Sequence, residues 1–134
     1  MHLNLEKLTL SQKLFEPFGD IISKGMEKNK FLINQGYCER FDEVATVEVL
    51  DRKANAIISI FSATPRKRPI KIDYMEMHPL ASQAFMPIQK IDWKVVVAND
   101  NDGSPDLSSI KCFKVPGDVG INYNPKVWHF PLLV

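Results

Sequence analysis

Short runs of alternating apolar and polar residues dominate the chain from residue 44 onward. Residues 44–49 and 56–61 are rich in β-branched and aromatic side chains with this two-residue period, which predicts a β-hairpin. Further strand-like runs, separated by turn residues, occupy residues 70–77, 83–88, 93–98, 110–115, 121–123 and 127–134. Many short strands at this spacing predict a mainly β protein, folded as a sandwich or a barrel.

The segment before about residue 40 has a mixed pattern. Ser11 precedes a short stretch that predicts one capped helical turn, stopped by Pro17 and Gly19. The 134 residues contain no repeat, low-complexity tract or linker, so we predict a single domain over residues 1–134. Residues 99–105 resemble the start of a calcium loop, but strands flank them and no closing glutamate follows, which favours a plain surface loop.

Charge and cysteine content limit the function classes. The 17 basic and 16 acidic residues give a net charge of +1, too small to attract nucleic acid or an anionic membrane. The chain has no signal-peptide pattern and no apolar run near the roughly 20 residues that a membrane span needs. Cys38 and Cys112 have neither zinc-site nor disulfide-framework spacing, which fits reduced thiols. We expect a soluble, cytoplasmic protein with a small-molecule substrate and no nucleic-acid or membrane partner.

Two clusters of polar residues could carry chemistry. Glu76 and His78 are two residues apart in a predicted strand and therefore share one face. A carboxylate beside an imidazole can fix its tautomer and raise its basicity, as a general base or a metal ligand requires. The plain alternative is a polar pair at the end of a strand. His129 follows a predicted turn that begins at Asn122 and Tyr123. A barrel built from these strands could bring both imidazoles to one interior face.

Cationic residues matter if the ligand is a carboxylate. Arg40, Lys126 and residues 66–68 are the candidates, although the last run lies between two prolines and fits a solvated loop. The sequence has no glycine-rich phosphate loop, no nucleophile elbow and no Cys-x-x-Cys pair. These absences argue against nucleotide chemistry and against covalent serine or thiol catalysis.

Two segments are similar to signatures of the ureidoglycolate lyase family, formerly called ureidoglycolate hydrolases. They are residues 76–87, E-M-H-P-L-A-S-Q-A-F-M-P, and residues 120–123 with 127–129, G-I-N-Y and V-W-H. Weaker similarities extend over nearly the whole chain. The resemblance implies a cupin-type β barrel, a double-stranded β-helix or jelly roll, with a short N-terminal helical lead-in. It also implies cleavage of ureidoglycolate to glyoxylate and urea, a step of allantoin and purine breakdown.

The reaction and the resemblance together suggest roles for particular residues. Ureidoglycolate is a carbinolamine with a carboxylate, so a base, an acid and a cation are needed. His78 and His129 are assigned as base or metal ligands, and Glu76 as the group that orients one of these imidazoles. Tyr123, also a catalytic candidate, is assigned to substrate hydrogen bonds together with Gln83 and Asn122. Arg40 or Lys126 is assigned to the substrate carboxylate. A divalent metal, nickel by resemblance, could polarise the substrate.

The chain departs from the family pattern at five polar positions. Ser62 and Met77 stand where the family usually has arginine, and Asp42, Asn124 and Phe130 stand where it usually has histidine. These replacements leave a second hypothesis open: a diverged cupin that binds a small carboxylate or ureido ligand without this activity, or that acts on another small substrate. Because exposed barrel strands commonly pair subunits, we also expect a homodimer.

Overall fold

The computed structural model describes residues 4–134. Its strands are β1 Lys7–Thr9, β2 Gly19–Ile22, β3 Asn29–Ile33, β4 Cys38–Asp42, β5 Gln83–Phe85, β6 Trp93–Ala98, β7 Asp100–Asn101, β8 Ser104–Pro105, β9 Lys111–Val115, β10 Gly120–Tyr123 and β11 Trp128–His129. One α-helical turn, α1, spans Gln12–Phe15, and 3₁₀ turns span Asn34–Gly36 and Leu107–Ser109. The fold is mainly β, as predicted, and is consistent with a cupin-like architecture.

Two open sheets form the body of the molecule. The larger has the order β1-β9-β6-β11, with β1 parallel to β9 and the other pairs antiparallel. The smaller is antiparallel and has the order β2-β10-β5. Among residues 4–134 these strands face one another as separate sheets, and the hydrogen-bonded ladder does not close into a complete barrel.

The main core lies between these two sheets. Val95, Val97 and Phe113 project into it from the larger sheet, and Ile121 and Tyr123 project from the smaller one. Full burial of an aliphatic or aromatic side chain contributes roughly 1.5–3 kcal/mol, so this layer is the main source of stability. Among residues 4–134, the buried members of this core come from positions 15–21 and 93–127, and partly buried residues such as Phe85 and Leu132 pack against them.

The N-terminal helical turn closes one end of this core. The Ser11 hydroxyl accepts a hydrogen bond from the backbone N–H of Leu14 at 3.3 Å, which confirms the predicted cap. Phe15 is fully buried and meets Phe113 edge to face at 5.4 Å. Gly19 follows with φ +153°, and a Cβ there would collide with the Asn122 carbonyl, so only glycine permits β2 to pair this closely with β10.

A second apolar cluster covers the outer face of the larger sheet. Val96 and Phe130 belong to it, together with Leu133 near the end of the chain. The partly buried Ile72 and Met75 pack against these residues. The segment that was predicted to be a strand at 70–77 therefore lies across the sheet, and its one ladder contact is the bridge from Glu76 to His129.

The predicted hairpin of residues 44–49 and 56–61 is wrong. Residues 48–50 instead lie beside residues 80–82, where the Leu50 N–H donates to the Leu80 carbonyl at 2.7 Å and Val49 bridges Ala81. Residues 56–61 belong to no strand in the described part of the chain. Residues 80–82 occupy the edge of residues 48–50 with which residues 56–61 would have paired in a hairpin. A partner distant in sequence therefore replaces the local one.

The predicted strands at 83–88, 93–98, 110–115, 121–123 and 127–134 are confirmed, most of them with different bounds. Residues 93–98 match β6 at both ends, whereas the run at 127–134 gives only Trp128–His129. The loop at 99–105 is exposed and forms the tight hairpin of β7 and β8. The sequence analysis missed the longer hairpin of β3 and β4. Over residues 4–134, no helix has the length and apolar character to cross a bilayer.

Candidate active site

Glu76 and His129 are held opposite each other by their backbones. The N–H of each residue donates to the carbonyl of the other at 2.9 Å, which makes them a directly paired antiparallel bridge. Paired residues project to the same face, and the Glu76 Oε1 to His129 Nε2 distance is accordingly 3.5 Å. The backbone thus fixes a carboxylate next to an imidazole.

His78 joins this pair from the same segment. It is two residues beyond Glu76, so its side chain shares the Glu76 face, and its ring centre lies 5.2 Å from that of His129. The Lys126 N–H donates to the His78 carbonyl at 3.0 Å and anchors the segment to the turn before β11. One ligand atom from each of Glu76, His78 and His129 lies within 4.8 Å of the others. We call these three residues the Glu-His-His cluster.

His129 is the buried member of the cluster. It lies on β11 opposite Val97 of β6, which directs its ring into the space between the sheets, and only 2% of the residue is exposed. Tyr123 stacks on the ring with centroids 4.4 Å apart and planes 13° apart. Two strands from different sheets therefore fix the position and the plane of this imidazole.

One hydrogen bond sets the tautomer of His129. Its Nδ1 lies 3.1 Å from the Val127 carbonyl, and since a carbonyl only accepts, Nδ1 carries the proton. In the neutral ring Nε2 then presents its lone pair to the cluster. This nitrogen is buried and has no hydrogen-bond partner among the described residues.

Burial controls the protonation of both stacked rings. Burial lowers the pKa of His129, outweighing the Val127 carbonyl and the nearby Glu76 carboxylate, which raise it. The neutral imidazole is therefore favoured. Burial, followed by the charge of Glu76, raises the pKa of Tyr123 far above its ordinary value. Tyr123 thus keeps its phenolic proton and can act only as a neutral hydrogen-bonding group.

The lone pair of His129 faces a second acceptor. A neutral Nε2 and a Glu76 carboxylate oxygen 3.5 Å apart have no proton between them to share. Such a pair is stabilised by a donor group or a cation placed between the two atoms. Two imidazoles and a carboxylate are also suitable ligands for a divalent transition metal, so these residues could hold one.

Aromatic residues that the sequence analysis did not single out complete the pocket wall. Phe85 and Trp93 line the cavity beside Glu76, Tyr123 and His129. The enclosed space is about 10 Å³, room for about one water molecule. A small substrate must therefore bind at the open side of the cluster, where Glu76 and His78 are exposed. Phe85 is two residues from Gln83 and so shares its face, a spacing that could have placed it at the site; it pairs with Ile121, and its ring lies 6.0 Å from that of Tyr123.

Gln83 and Asn122 lie on different sides of the smaller sheet. Gln83 pairs with Tyr123 across β5 and β10, and its side-chain oxygen is buried without a partner. Asn122 follows the opposite alternation to Tyr123, so its side chain points away from the cluster. Its amide nitrogen donates to Asp20 Oδ2 at 3.1 Å and to the Thr46 carbonyl at 2.9 Å. The structure therefore brings Gln83 to the site and directs Asn122 elsewhere.

The two predicted cationic residues also differ. Arg40 lies on the β3–β4 hairpin and is ion-paired with Asp42 at 2.6 Å. Lys126 follows the turn at Asn124, with its backbone bonded to His78 and its side chain exposed. Lys126 is thus attached to the site, whereas the charge of Arg40 is already neutralised.

Two of the replaced family positions do not face the cluster. Met77 lies between Glu76 and His78, and Phe130 follows His129, so both project to the opposite face. Phe130 is part of the outer apolar cluster. At these two positions the replacement leaves the Glu-His-His cluster unchanged.

The fold and this site together define a class: a β-rich protein that holds a carboxylate and two imidazoles beside a stacked tyrosine. The model of the ureidoglycolate lyase family matches residues 2–134. Ureidoglycolate lyases of Escherichia coli and Shigella boydii are each 41% identical over 130 residues, and that of Salmonella newport is 42% identical. Each alignment covers 97% of this chain and 79% of the relative. The chain belongs to the ureidoglycolate lyase family.

Proposed function

We propose that this protein is a lyase that cleaves ureidoglycolate to glyoxylate and urea at the Glu-His-His cluster. The observation that carries the proposal is the buried Nε2 of His129, which has a free lone pair 3.5 Å from the Glu76 carboxylate. Its relatives bear the name of this activity. A substrate hydroxyl bound between the two acceptors supplies the proton that they lack.

The reaction then needs one proton removed and one delivered. His129 Nε2 takes the hydroxyl proton, and the oxygen electrons form the glyoxylate carbonyl as the carbon–nitrogen bond breaks. The electron pair of that bond goes to the departing urea nitrogen, which takes a proton from His78 in its charged form. His78 is exposed, so water can return the proton from one imidazole to the other between turnovers.

The remaining groups position these reactants. Tyr123 holds the His129 ring in its plane by stacking, and the unpartnered amide oxygen of Gln83 can accept from the ureido N–H groups. Lys126 is the cation that we assign to the substrate carboxylate, because its backbone is bonded to that of His78. The alternative role of the cluster is metal binding: a divalent metal held by Glu76, His78 and His129 would occupy the lone pairs that these proton transfers use and would instead supply Lewis-acid polarisation of the substrate oxygens.

The replaced polar positions were the reason for the second hypothesis, a diverged cupin that binds a small ligand without catalysis. At positions 77 and 130 the side chains project away from the cluster, so these replacements do not favour a binder over an enzyme. We further propose that the enzyme works in the cytoplasm, where the free thiols of Cys38 and Cys112 stay reduced, and that it is a homodimer.

Glyoxylate release from ureidoglycolate tests the assignment directly. Loss of a general base typically lowers the rate about 10²–10⁴-fold, and we expect this for kcat/KM of His129→Ala. For Glu76→Gln we expect a drop of about 10–100-fold, because the carboxylate stabilises the positive charge that His129 gains when it takes the proton. Glu16→Gln, an exposed glutamate at the end of α1, is the matched control and should leave kcat/KM unchanged.

The assay is repeated after chelation and after addition of nickel or another divalent ion. A metal requirement appears as activity that is lost on chelation and restored by the ion, with less ion bound by His78→Ala. Wild-type protein that releases no glyoxylate above the buffer rate under any of these conditions would contradict the proposed function.

A further inference from the structure

A second cavity lies at one end of the larger sheet. Its volume is about 350 Å³, within the range of about 300–1,000 Å³ that is usual for small-molecule sites. Its wall is formed by the end of β1, the start of β6 and the end of β9. Lys94 in this wall lies three residues before Val97, the partner of His129, and three residues of strand span about 10 Å. The cavity is thus separate from the Glu-His-His cluster.

Two lysines face each other in the wall of this cavity. Lys94 of β6 and Lys114 of β9 are directly paired in the ladder, and both line the cavity. Paired residues share a face with their Cβ atoms about 4.5–5.5 Å apart, and like charges in these positions destabilise a sheet. Thr9 of β1 pairs with Lys114 on its other side. The sheet therefore presents two ammonium groups and a hydroxyl group in one row.

The charge of these lysines is not neutralised within the described chain. Among residues 4–134, neither ammonium group forms an ion pair with a carboxylate. A third lysine, Lys7, lies on the same face one row further along, where it pairs with Cys112. Asp92 also lines the cavity, but its Oδ1 already accepts a hydrogen bond from the Gly117 N–H at 2.9 Å. Positive charge therefore exceeds negative charge in this wall.

The wall beside the lysines is apolar. It is formed by Leu10, Trp93, Val115 and Pro116. The indole of Trp93 is fixed in place, because its ring packs 6.4 Å from that of Phe85 and its Nε1 donates to the Val119 carbonyl at 3.3 Å. A fixed apolar wall next to two cations suits a ligand that has negative charge at one end and an apolar group at the other.

We propose that this cavity binds a phosphate monoester of a small apolar group, with the phosphate between Lys94 and Lys114 and the apolar group against Trp93. A phosphate monoester carries close to two negative charges at neutral pH and has three acceptor oxygens, so one headgroup can serve both lysines. Its charge removes the repulsion of the lysine pair. Asp92 repels a second anionic group, which limits the ligand to one headgroup. The proposal goes beyond the lyase function and does not rest on it.

Binding of phenyl phosphate tests the chemistry of the cavity. This probe joins a dianionic headgroup to an apolar ring, and calorimetry at pH 7.5 should give a Kd of roughly 1 mM or lower. Inorganic phosphate lacks the ring and benzoate lacks the second charge, so each should bind at least about tenfold more weakly. Absence of phenyl phosphate binding would overturn the proposal. So would equally tight binding of either comparison anion.

Charge variants test the position of the headgroup. Lys114 is exposed, so Lys114→Gln removes one charge without disturbing the core, and we expect it to raise the Kd for phenyl phosphate at least about tenfold. Lys114→Arg keeps the charge and should change the Kd by less than about threefold. Lys53→Gln, an exposed lysine outside the cavity wall, is the matched control and should bind as wild type does. An unchanged Kd in Lys114→Gln would contradict the site.

Thermal unfolding gives an independent readout of the lysine pair. Without ligand, Lys114→Gln should unfold at the same temperature as wild type or at a higher one, because it relieves a like-charge contact. Phenyl phosphate should raise the Tm of wild type and not that of Lys114→Gln. A lower Tm of the ligand-free variant would mean that contacts within the chain already stabilise Lys114, which would contradict a pair that needs an anion.

A comparison with Lys126 separates this cavity from the candidate active site. We expect Lys126→Gln to bind phenyl phosphate with the wild-type Kd, and Lys114→Gln to keep the wild-type kcat/KM for ureidoglycolate. Loss of binding in Lys126→Gln but not in Lys114→Gln would assign the anion to the active site and overturn the proposal. A protein that binds phenyl phosphate through Lys114 but has no lyase activity would contradict the proposed function alone.

Discussion

Residues 43–82 and residues 93–134 have similar strand-like sequences but different structures. The second region supplies β6, β9, β10 and β11 and most of the buried apolar residues, whereas none of those residues lies between positions 43 and 82. Intrinsic strand propensity is therefore not what distinguishes the two regions. The difference is a hydrogen-bonding partner within the chain, which the second region has and most of the first lacks.

The candidate site is built from both regions. His129 and Tyr123 come from the packed strands, and Glu76 and His78 come from the extended segment. The packed region, residues 93–134, thus fixes the position of His129, the proposed base. The extended region, residues 43–82, supplies Glu76 and His78, which face solvent. A site of this kind combines a buried, fixed base with exposed groups that a substrate can reach.

The largest expected effect is on the packed region. Phe113 is fully buried between the sheets and contacts Phe15 at 5.4 Å, so Phe113→Ala should lower the free energy of unfolding by about 3–5 kcal/mol. Ile57→Ala, at a position that is 81% exposed, should change it by less than about 0.5 kcal/mol. Denaturant titration measures both. Similar losses of unfolding free energy for the two variants would contradict the conclusion that stability comes mainly from residues 93–134.

A smaller effect is expected where the two regions meet. Asn122 of β10 donates to the Thr46 carbonyl and to Asp20, so Asn122→Ala should destabilise the protein by about 1–3 kcal/mol through the loss of two part-buried hydrogen bonds. Asn124→Ala, an exposed neighbour, is the control and should be close to neutral. The Asn122 side chain points away from the cluster. We therefore expect the folded fraction of Asn122→Ala to keep kcat/KM within about threefold of wild type.

That result would also decide between two interpretations of Asn122. The sequence analysis placed it in substrate hydrogen bonds, whereas the structure directs its amide to Asp20 and Thr46. A loss of activity as large as that of His129→Ala, without a loss of stability, would restore the substrate role.

Sequence patterns predicted the parts of the fold that are locally determined. Ser11 capped its helical turn, and residues 93–98 formed a strand with the expected bounds, because each is set by nearby residues. The hairpin at 44–49 and 56–61 was wrong because residues 80–82, some thirty positions away, take the edge of the first strand. Alternation of apolar and polar residues predicts a strand, but it does not show whether that strand pairs with a neighbouring segment or with a distant one.

The candidate site was predictable only in part for the same reason. Spacing of two placed Glu76 and His78 on one face, but the contact with His129 depends on a bridge between segments fifty residues apart. The Val127 carbonyl that sets the tautomer and the Tyr123 ring that stacks on the imidazole are visible only in three dimensions. Arg40 was a plausible cation by sequence, and its ion pair with Asp42 follows from their shared face on β4, a strand that was not predicted.

The smallest expected effect is the pH dependence that His129 gives to stability. Its pKa is lower in the folded state because burial disfavours the charged ring, so the unfolded chain binds the proton first as the pH falls. Stability from this residue is therefore complete above the unfolded value of about 6.5 and is lost below it, by at most about 1.4 kcal/mol per pH unit, until the folded pKa is reached.

Denaturant midpoints between pH 7.5 and pH 5 measure this slope. His129→Gln removes the titrating ring from the packed region and should flatten the profile, whereas His78→Gln, which removes an exposed imidazole of the extended region, should leave it steep. Glu76 opposes the shift by favouring the charged ring, so Glu76→Gln should steepen the loss. An unchanged slope in His129→Gln would mean that burial between the sheets does not set the pKa of this imidazole. It would contradict the difference that we infer between a buried base, His129, and an exposed histidine, His78.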